Sequence, residues 1–185
     1  MDKPPYLWFS IYGNSSFSVE STAVYKIIIT AKPAGHALLY ERLGRSGRRK
    51  RVRAYEAIVS MPDGTQHSFM FTRDVSDIVF GGLRQHFGVG GECPPNRIDL
   101  PYTGVLHRSA NIPFAIKLFD QPDQTLLGAG VVVRRNLLIH HGPARSEGCF
   151  TIAGGKRHFK RFRRLLEPIL HRGVHIEVVV EPRDK

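Results

Sequence analysis

The feature that most constrains the fold is an aspartate–glycine turn between two β-prone segments. Residues 55–61 and 67–72 carry β-branched and aromatic side chains, and Pro62, Asp63 and Gly64 stand between them. Asp-Gly in this setting is a strong signal for a β-hairpin, because glycine adopts the positive φ angles that tight hairpin turns need. An isolated hairpin is marginally stable, so the segment also predicts a larger sheet.

Other short segments have the composition of strands, among them residues 23–30 with three consecutive isoleucines. The 18 glycines and 12 prolines of the 185-residue chain favour turns and short strands. Further strands are predicted at residues 6–12, 114–119, 126–133, 136–140, 150–152 and 174–180. The length suits one domain, 1–185. We therefore predict a mainly β fold with α (α+β), a strand-rich sheet or sandwich with one amphipathic C-terminal helix.

The amphipathic helix is predicted over residues 155–170. Apolar side chains recur there at steps of three and four residues, and six Lys and Arg residues between 156 and 164 occupy the other face. Pro168 should kink the last turn, and Gly173 should end the helix. Similarly spaced apolar residues predict a shorter helix over residues 74–87.

The charge balance is strongly basic: 27 Lys and Arg against 16 Asp and Glu give a formal net charge of +11. Seven of the twelve residues from 42 to 53 are cationic, and two are glycine, so we predict an exposed basic loop. A protein with this charge is attracted to polyanions, such as nucleic acid or an anionic cell envelope. Charge alone leaves the partner open.

Cysteine usage and the N-terminus bear on the compartment. The two cysteines, Cys93 and Cys149, are too few for a disulfide scaffold and lack the paired spacing of a zinc site. No basic n-region precedes a long apolar segment, and no run of 18 apolar residues predicts a membrane span. We expect a protein made in the cytoplasm, for which work in the periplasm or cell wall requires non-classical delivery.

Cys149 and His140 are the candidate catalytic pair. A catalytic cysteine needs a base, backbone amides that hold an oxyanion, and room for substrate. Gly148 lets the chain turn before Cys149 and lets substrate approach the backbone. His140 follows the apolar run 137–139, so it would stand at the end of a strand, where the backbone holds its ring in a fixed position. Taken singly, a cysteine after glycine and a histidine at a strand end are more often structural; their joint occurrence favours catalysis.

The segment from 139 to 150 reads Ile-His-His-Gly-Pro-Ala-Arg-Ser-Glu-Gly-Cys-Phe. His140-x-Gly142 followed by Ser146-x-Gly148-Cys149 and an apolar residue resembles the signature of the L,D-transpeptidase (YkuD-type) catalytic fold. The short spacing is closer to the compact relatives of that fold in phage proteins and among type VI secretion effectors that attack peptidoglycan. The resemblance covers residues 137–155, and the arginine that commonly follows the signature is Thr151 here.

The resemblance implies that Cys149 is the nucleophile, that His140 removes its proton, and that Gly148 lies at the oxyanion site. The sulfur would attack an amide carbonyl of a peptidoglycan stem peptide, and D-alanine would leave to give a thioester. An amine acceptor would complete a transpeptidation, and water a carboxypeptidase reaction. No metal or organic cofactor is required.

The resemblance also implies substrate-binding roles for Arg145, Ser146 and His141, with Arg145 able to bind a substrate carboxylate. His141 leaves the identity of the base open, and His140 is preferred because Ile-His-x-Gly is the register of the compact relatives. Residues 91–185 would form the catalytic part, and residues 1–90 a β-rich N-terminal part with the basic loop 42–53. An antibacterial effector of this kind, a toxin, would have a secretion apparatus or an immunity protein as further partners.

Two other functions fit the same residues. The first is nucleic-acid binding through the basic loop and the basic helix face, although the loop has no stacking aromatic before Tyr55. The second is a Cys–His peptidase or acyltransferase that acts on another amide. Activity on a protein substrate with none on muropeptides would select the latter.

Overall fold

The computed structural model describes residues 24–40, 49–73, 93–130, 133–141 and 148–182, with side chains described at all of these except 39–40 and 49–50. These residues form eight strands and one helix: β1 (Lys26–Tyr40), β2 (Arg49–Ser60), β3 (Gln66–Thr72), β4 (Tyr102–Ser109), β5 (Ile112–Phe119), β6 (Leu137–His141), β7 (Phe150–Ile152), α1 (Gly155–His171) and β8 (Ile176–Val180).

The strands close into a barrel in the order β1-β2-β3-β7-β6-β5-β4-β8. Most neighbours are antiparallel, whereas β6 with β7 and β8 with β1 run parallel. Closure pairs every strand with two neighbours and removes the free sheet edges that invite aggregation. The mainly β class with one helix is confirmed, and the sheet is a closed barrel instead of an open sheet or a sandwich.

The barrel interior is the hydrophobic core. Side chains alternate between the two faces of each strand, so Ile27 and Ile29 of β1 and Phe69 and Phe71 of β3 all point inward and are almost fully buried. The same alternation on β6 sends Leu137 and Ile139 into the core. It therefore sends the residues between and after them to the outer face, which positions the candidate site.

The predicted hairpin is confirmed. β2 and β3 pair in antiparallel register from Ser60 opposite Gln66. The turn is closed by the Met61 amide donating to Thr65 O at 2.8 Å and the Gly64 amide donating to Met61 O at 3.0 Å. Gly64 has a φ of 84°, the conformation for which glycine is suited.

Helix α1 packs its apolar face against the core, as its periodicity predicts. The ring of Phe162 makes edge contacts with Phe69, Phe71 and Phe114 at centroid distances of 5.2, 5.5 and 6.4 Å. The helix continues through Pro168, and Gly173 follows its end with a φ of 76°. Among the described residues, no helix combines the length and apolar composition needed to cross a membrane.

Several expectations need correction. Residues 126–133 do not form a strand where they are described; only Leu126 makes a single bridge, to Arg134. Strand β4 was not predicted, because its apolar pattern is interrupted by polar residues and by Gly104. Glycine is required there, since a Cβ atom would lie 2.9 Å from the Ile116 side chain and 3.2 Å from Ile176 O.

The basic segment 42–53 is only partly the loop that was predicted, because residues 49–53 belong to β2. Its residues 42–48 lie outside the described residues, as do the predicted strand 6–12 and the predicted helix 74–87. Strands from both predicted parts of the chain, 1–90 and 91–185, share the one barrel wall.

Candidate active site

The candidate site lies where β6 and β7 run side by side in the barrel wall. The strands are parallel, with Ile139 opposite Phe150 and His140 opposite Thr151. Ile139 and Phe150 point into the core. Because side chains alternate along a strand, His140 and Thr151 project from the outer face. Cys149 immediately precedes β7, beside Leu138 of β6, and packs against the core. The sequence-predicted base and nucleophile therefore lie on neighbouring strands, two residues apart in register.

This patch of outer wall is shielded from solvent. Register places Thr72, Thr151, His140 and Ala115 in one row across β3, β7, β6 and β5. Their exposed fractions are 1, 1, 6 and 0%. Cys149, two residues before Thr151 in the chain, is only half-buried. The arrangement is a buried imidazole next to a more accessible thiol.

The ring of His140 has a defined tautomer. Nδ1 lies 2.9 Å from the backbone oxygen of His141. A carbonyl oxygen only accepts hydrogen bonds, so Nδ1 carries the hydrogen and donates it, and Nε2 of the neutral ring has a free lone pair. Burial lowers the pKa of His140, and the hydrogen bond to His141 O partly offsets that shift. The ring is thus a neutral imidazole with Nε2 as its basic atom.

His141 lies on the other face of β6. Its ring packs on Phe159 of α1, with a centroid distance of 4.5 Å and an interplanar angle of 37°. Burial also lowers the pKa of His141, and the nearby charge of Lys156 lowers it further. The structure therefore separates the two adjacent histidines: His140 is on the outer face of β6, and His141 is turned toward the helix.

The Cys149 thiol is held at the start of β6. The Leu138 amide donates to Sγ at 3.4 Å, and Sγ donates to Asn136 O at 3.7 Å. An N–H group aimed at sulfur stabilises the negative charge that appears when a thiol ionises. Cys93, by contrast, is 1% exposed, so the two thiols of the chain differ in accessibility.

Gly148 is packed against the guanidinium group of Arg134. A Cβ atom added to Gly148 would lie 2.8 Å from Nη1 and 2.9 Å from Cζ of that arginine, closer than real Cβ atoms approach such groups. Gly148 also has a φ of 89°, which few other residues adopt. Glycine is therefore required before Cys149, and it admits a cation that is itself only 8% exposed.

The backbone of Arg134 is fixed from the opposite side. Its amide donates to Leu126 O at 2.7 Å, and the Leu126 amide donates to Arg134 O at 2.8 Å. The loop after Leu126 is held by the carboxylate of Asp120, which accepts hydrogen bonds from the Leu127 and Gly128 amides at 2.8 and 2.7 Å. Arg134 is thus mounted on an ordered segment.

Thr151 contributes a buried hydroxyl at the centre of the patch. Among the described residues, its Oγ1 has no hydrogen-bond partner. It stands directly opposite His140 in the β6–β7 register. An unsatisfied buried hydroxyl costs about 1–3 kcal/mol, and such groups in native proteins often have a functional reason.

The predicted site residues fall into two groups. His140, His141, Gly148 and Cys149 are described and lie within one stretch of wall, whereas Arg145 and Ser146 lie outside the described residues. Arg134 was missed because an arginine between two apolar runs is typical of a turn. Thr151 was noted only as a departure from the signature, and no local pattern marks either residue as part of a site.

No family model, no curated protein and no solved structure matches the chain. Function is therefore inferred from the chemistry of the site. Among the described residues, no group of three or more His, Cys, Asp or Glu side chains is arranged to hold a metal ion.

Proposed function

We propose that the protein is a cysteine-dependent acyl-transfer enzyme that acts on peptidoglycan stem peptides, an L,D-transpeptidase or L,D-carboxypeptidase. The observation that carries the proposal is the placement of His140 and Cys149 on adjacent parallel strands, two residues apart in register. Cys149 is therefore the diagonal neighbour of His140 across the two strands. The resemblance of the segment to the L,D-transpeptidase signature supplies the substrate class.

The chemistry assigns one step to each group. Rotation about χ1 of Cys149 brings Sγ toward Nε2 of His140, which accepts the thiol proton. The thiolate attacks the amide carbonyl, and the C–N bond to D-alanine breaks as the imidazolium returns the proton to the leaving amine. The enzyme then carries a thioester at Cys149. An amine gives a crosslink, and water gives a shortened stem peptide.

Three further features support this assignment. The Nδ1 hydrogen bond to His141 O fixes the ring with Nε2 as the base. The lowered pKa of His140 keeps the ring neutral, and therefore able to accept a proton, at neutral pH. The net charge of +11 would favour association with an anionic cell wall.

The test is incubation of the protein, and of Cys149→Ala, with defined disaccharide tetrapeptides and pentapeptides, followed by mass spectrometry. Cys93→Ala is the matched control, because Cys93 is the other cysteine of the chain and is buried away from solvent. We expect loss of D-alanine or a new crosslink with the wild type and Cys93→Ala, and neither with Cys149→Ala. No change in any muropeptide with folded wild-type protein would refute the proposal.

A basic two-stranded ribbon favours nucleic-acid binding as a second candidate function. β8 pairs with β1 only over Lys26–Ile29, and β3 pairs with β2 from Ala54 onward. Residues 35–40 and 49–53 therefore pair with each other beyond the barrel wall, as far as the described residues show. A two-stranded ribbon of this kind fits the major groove of duplex DNA.

The charge of the ribbon is of one sign. Residues 35–40 and 49–53 contain four Lys and Arg and no Asp or Glu. Arg51 and Arg53 are exposed, and an Arg51 Nη2 lies 3.1 Å from Nδ1 of His36. If the ribbon binds DNA, replacing Arg51 and Arg53 by alanine should reduce the slope of log binding constant against log salt concentration. The reduction should correspond to the loss of about two phosphate contacts. Alanine at Arg135 and Arg172, which are exposed and lie in neither the ribbon nor α1, serves as control, and equal loss in both variants would contradict a role of the ribbon.

A further inference from the structure

We infer that Arg134 is the positioning cation of the Cys149 site: its guanidinium fixes the Gly148–Cys149 backbone and favours the thiolate. This inference rests on the proposed role of Cys149 as nucleophile. Arg134 reaches the site from a segment distant in the sequence, so it is absent from the motif that contains His140 and Cys149.

The geometry requires a guanidinium lying against the chain. The Nη1 and Cζ atoms are almost equidistant from the point where a Gly148 Cβ would stand, at 2.8 and 2.9 Å, and Nη2 is nearer still. Cζ is the farthest of the three atoms, so the group approaches Gly148 with the edge that carries its two Nη atoms. Any side chain at position 148 would displace it, so Gly148 and Arg134 form one packed unit directly before the nucleophile.

The guanidinium packs against Gly148, the residue that precedes Cys149. Consecutive Cα atoms are about 3.8 Å apart, so the charge is placed next to the residue that carries the thiol. A cation within about 4–6 Å favours the ionised form of an acid by roughly 1–3 units of pKa in proteins. Burial raises the pKa of Tyr102, and the charge of Arg134 opposes that shift, so the same cation acts on a second acidic group of this region.

The chemical consequence is a thiolate held from two sides. The Leu138 amide donates to Sγ from β6, and Arg134 provides positive charge from the side of Gly148. His140 then accepts the proton that leaves the sulfur, and its own neutral state is maintained by burial. The division of roles explains how a site with a buried, neutral imidazole still promotes ionisation of its thiol.

The test measures the alkylation rate of Cys149 by iodoacetamide against pH, read by peptide mass spectrometry, with no peptidoglycan substrate. We expect Arg134→Met to lower the rate at pH 7 by about tenfold or more and to shift the profile to higher pH. Arg134→Lys, which keeps the charge but loses the two-nitrogen edge that packs on Gly148, should fall between Arg134→Met and the wild type. Arg97→Met is the matched control, because Arg97 also acts on Tyr102 but donates to Gly128 O instead of packing on Gly148.

Cys93 reports on folding in the same experiment, since it stays unreactive only while it is buried. A wild-type profile in Arg134→Met with Cys93 protected would overturn the inference. If Arg134→Met exposes Cys93, the wild type provides the decisive measurement. A cation beside the thiolate attracts the anionic reagent, so the ratio of the iodoacetate rate to the iodoacetamide rate at Cys149 should be higher in the folded protein than in denaturant. An unchanged ratio would also overturn the inference. Activity on muropeptides is a separate measurement, so failure of the proposed function is distinguishable.

Discussion

Replacing Gly148 with alanine should destabilise the protein by two separable effects. The φ of 89° costs a non-glycine residue about 1 kcal/mol. The new Cβ would also overlap the Arg134 guanidinium, with Nη1 at 2.8 Å, and overpacking of this kind costs about 1–3 kcal/mol. We expect a total loss of about 3 kcal/mol in the free energy of unfolding, or roughly 6–12 °C in Tm for a chain of this size.

Gly64→Ala is the matched control. Its φ of 84° is similar, but an added Cβ meets nothing within 4 Å, so only the backbone strain of about 1 kcal/mol remains. Urea unfolding followed by circular dichroism measures both variants. In an Arg134→Ala background, Gly148→Ala should cost only about 1 kcal/mol, because the overlapping group is gone. Equal losses for Gly148→Ala and Gly64→Ala in the wild-type background would refute the packing argument.

Three further predictions concern stability. Burial lowers the pKa of His140 and His141 from the ordinary 6.5, so the unfolded chain binds more protons below that pH. The free energy of unfolding should therefore be highest above about pH 6.5 and fall as the pH decreases. Urea unfolding at several pH values measures this dependence, and an unchanged dependence in His140→Gln would contradict the assignment. Thr151→Val removes a buried hydroxyl without a partner in the described residues, and should raise the free energy of unfolding by about 1 kcal/mol; a loss of stability instead would show that the hydroxyl is hydrogen-bonded. Phe162→Ala empties the space between three aromatic rings and should cost about 3–5 kcal/mol, whereas the same change at the less buried Phe159 should cost less.

Features set by neighbouring residues were predictable from the sequence. The turn at Asp63-Gly64 depends on local φ angles and a hydrogen bond within four residues, and the strands flanking it followed from β-prone side chains. The helix α1 was predictable for the same reason, because its apolar period is contained in its own 17 residues. The His140–Cys149 segment was also identified from residue types at short spacing.

The tertiary structure alone decided how these pieces meet. Closure of the barrel depends on the pairing of β8 with β1, about 150 residues apart in the chain, and no local pattern encodes that register. Strand β4 was missed because Gly104, which interrupts its pattern, is explained only by the side chains of β5 and the backbone of β8.

The same division between local and tertiary information holds within the site. Sequence left the choice between His140 and His141 open, and one residue along β6 separates a ring on the outer face from a ring packed on Phe159. Arg134 could not be identified as a neighbour of Gly148, because that contact depends on the loop held by Asp120 and on the packing of a flat cation against a residue without a side chain. The chemical identity of the candidate groups is local information, whereas their orientation and their electrostatic partners are set by contacts between distant segments.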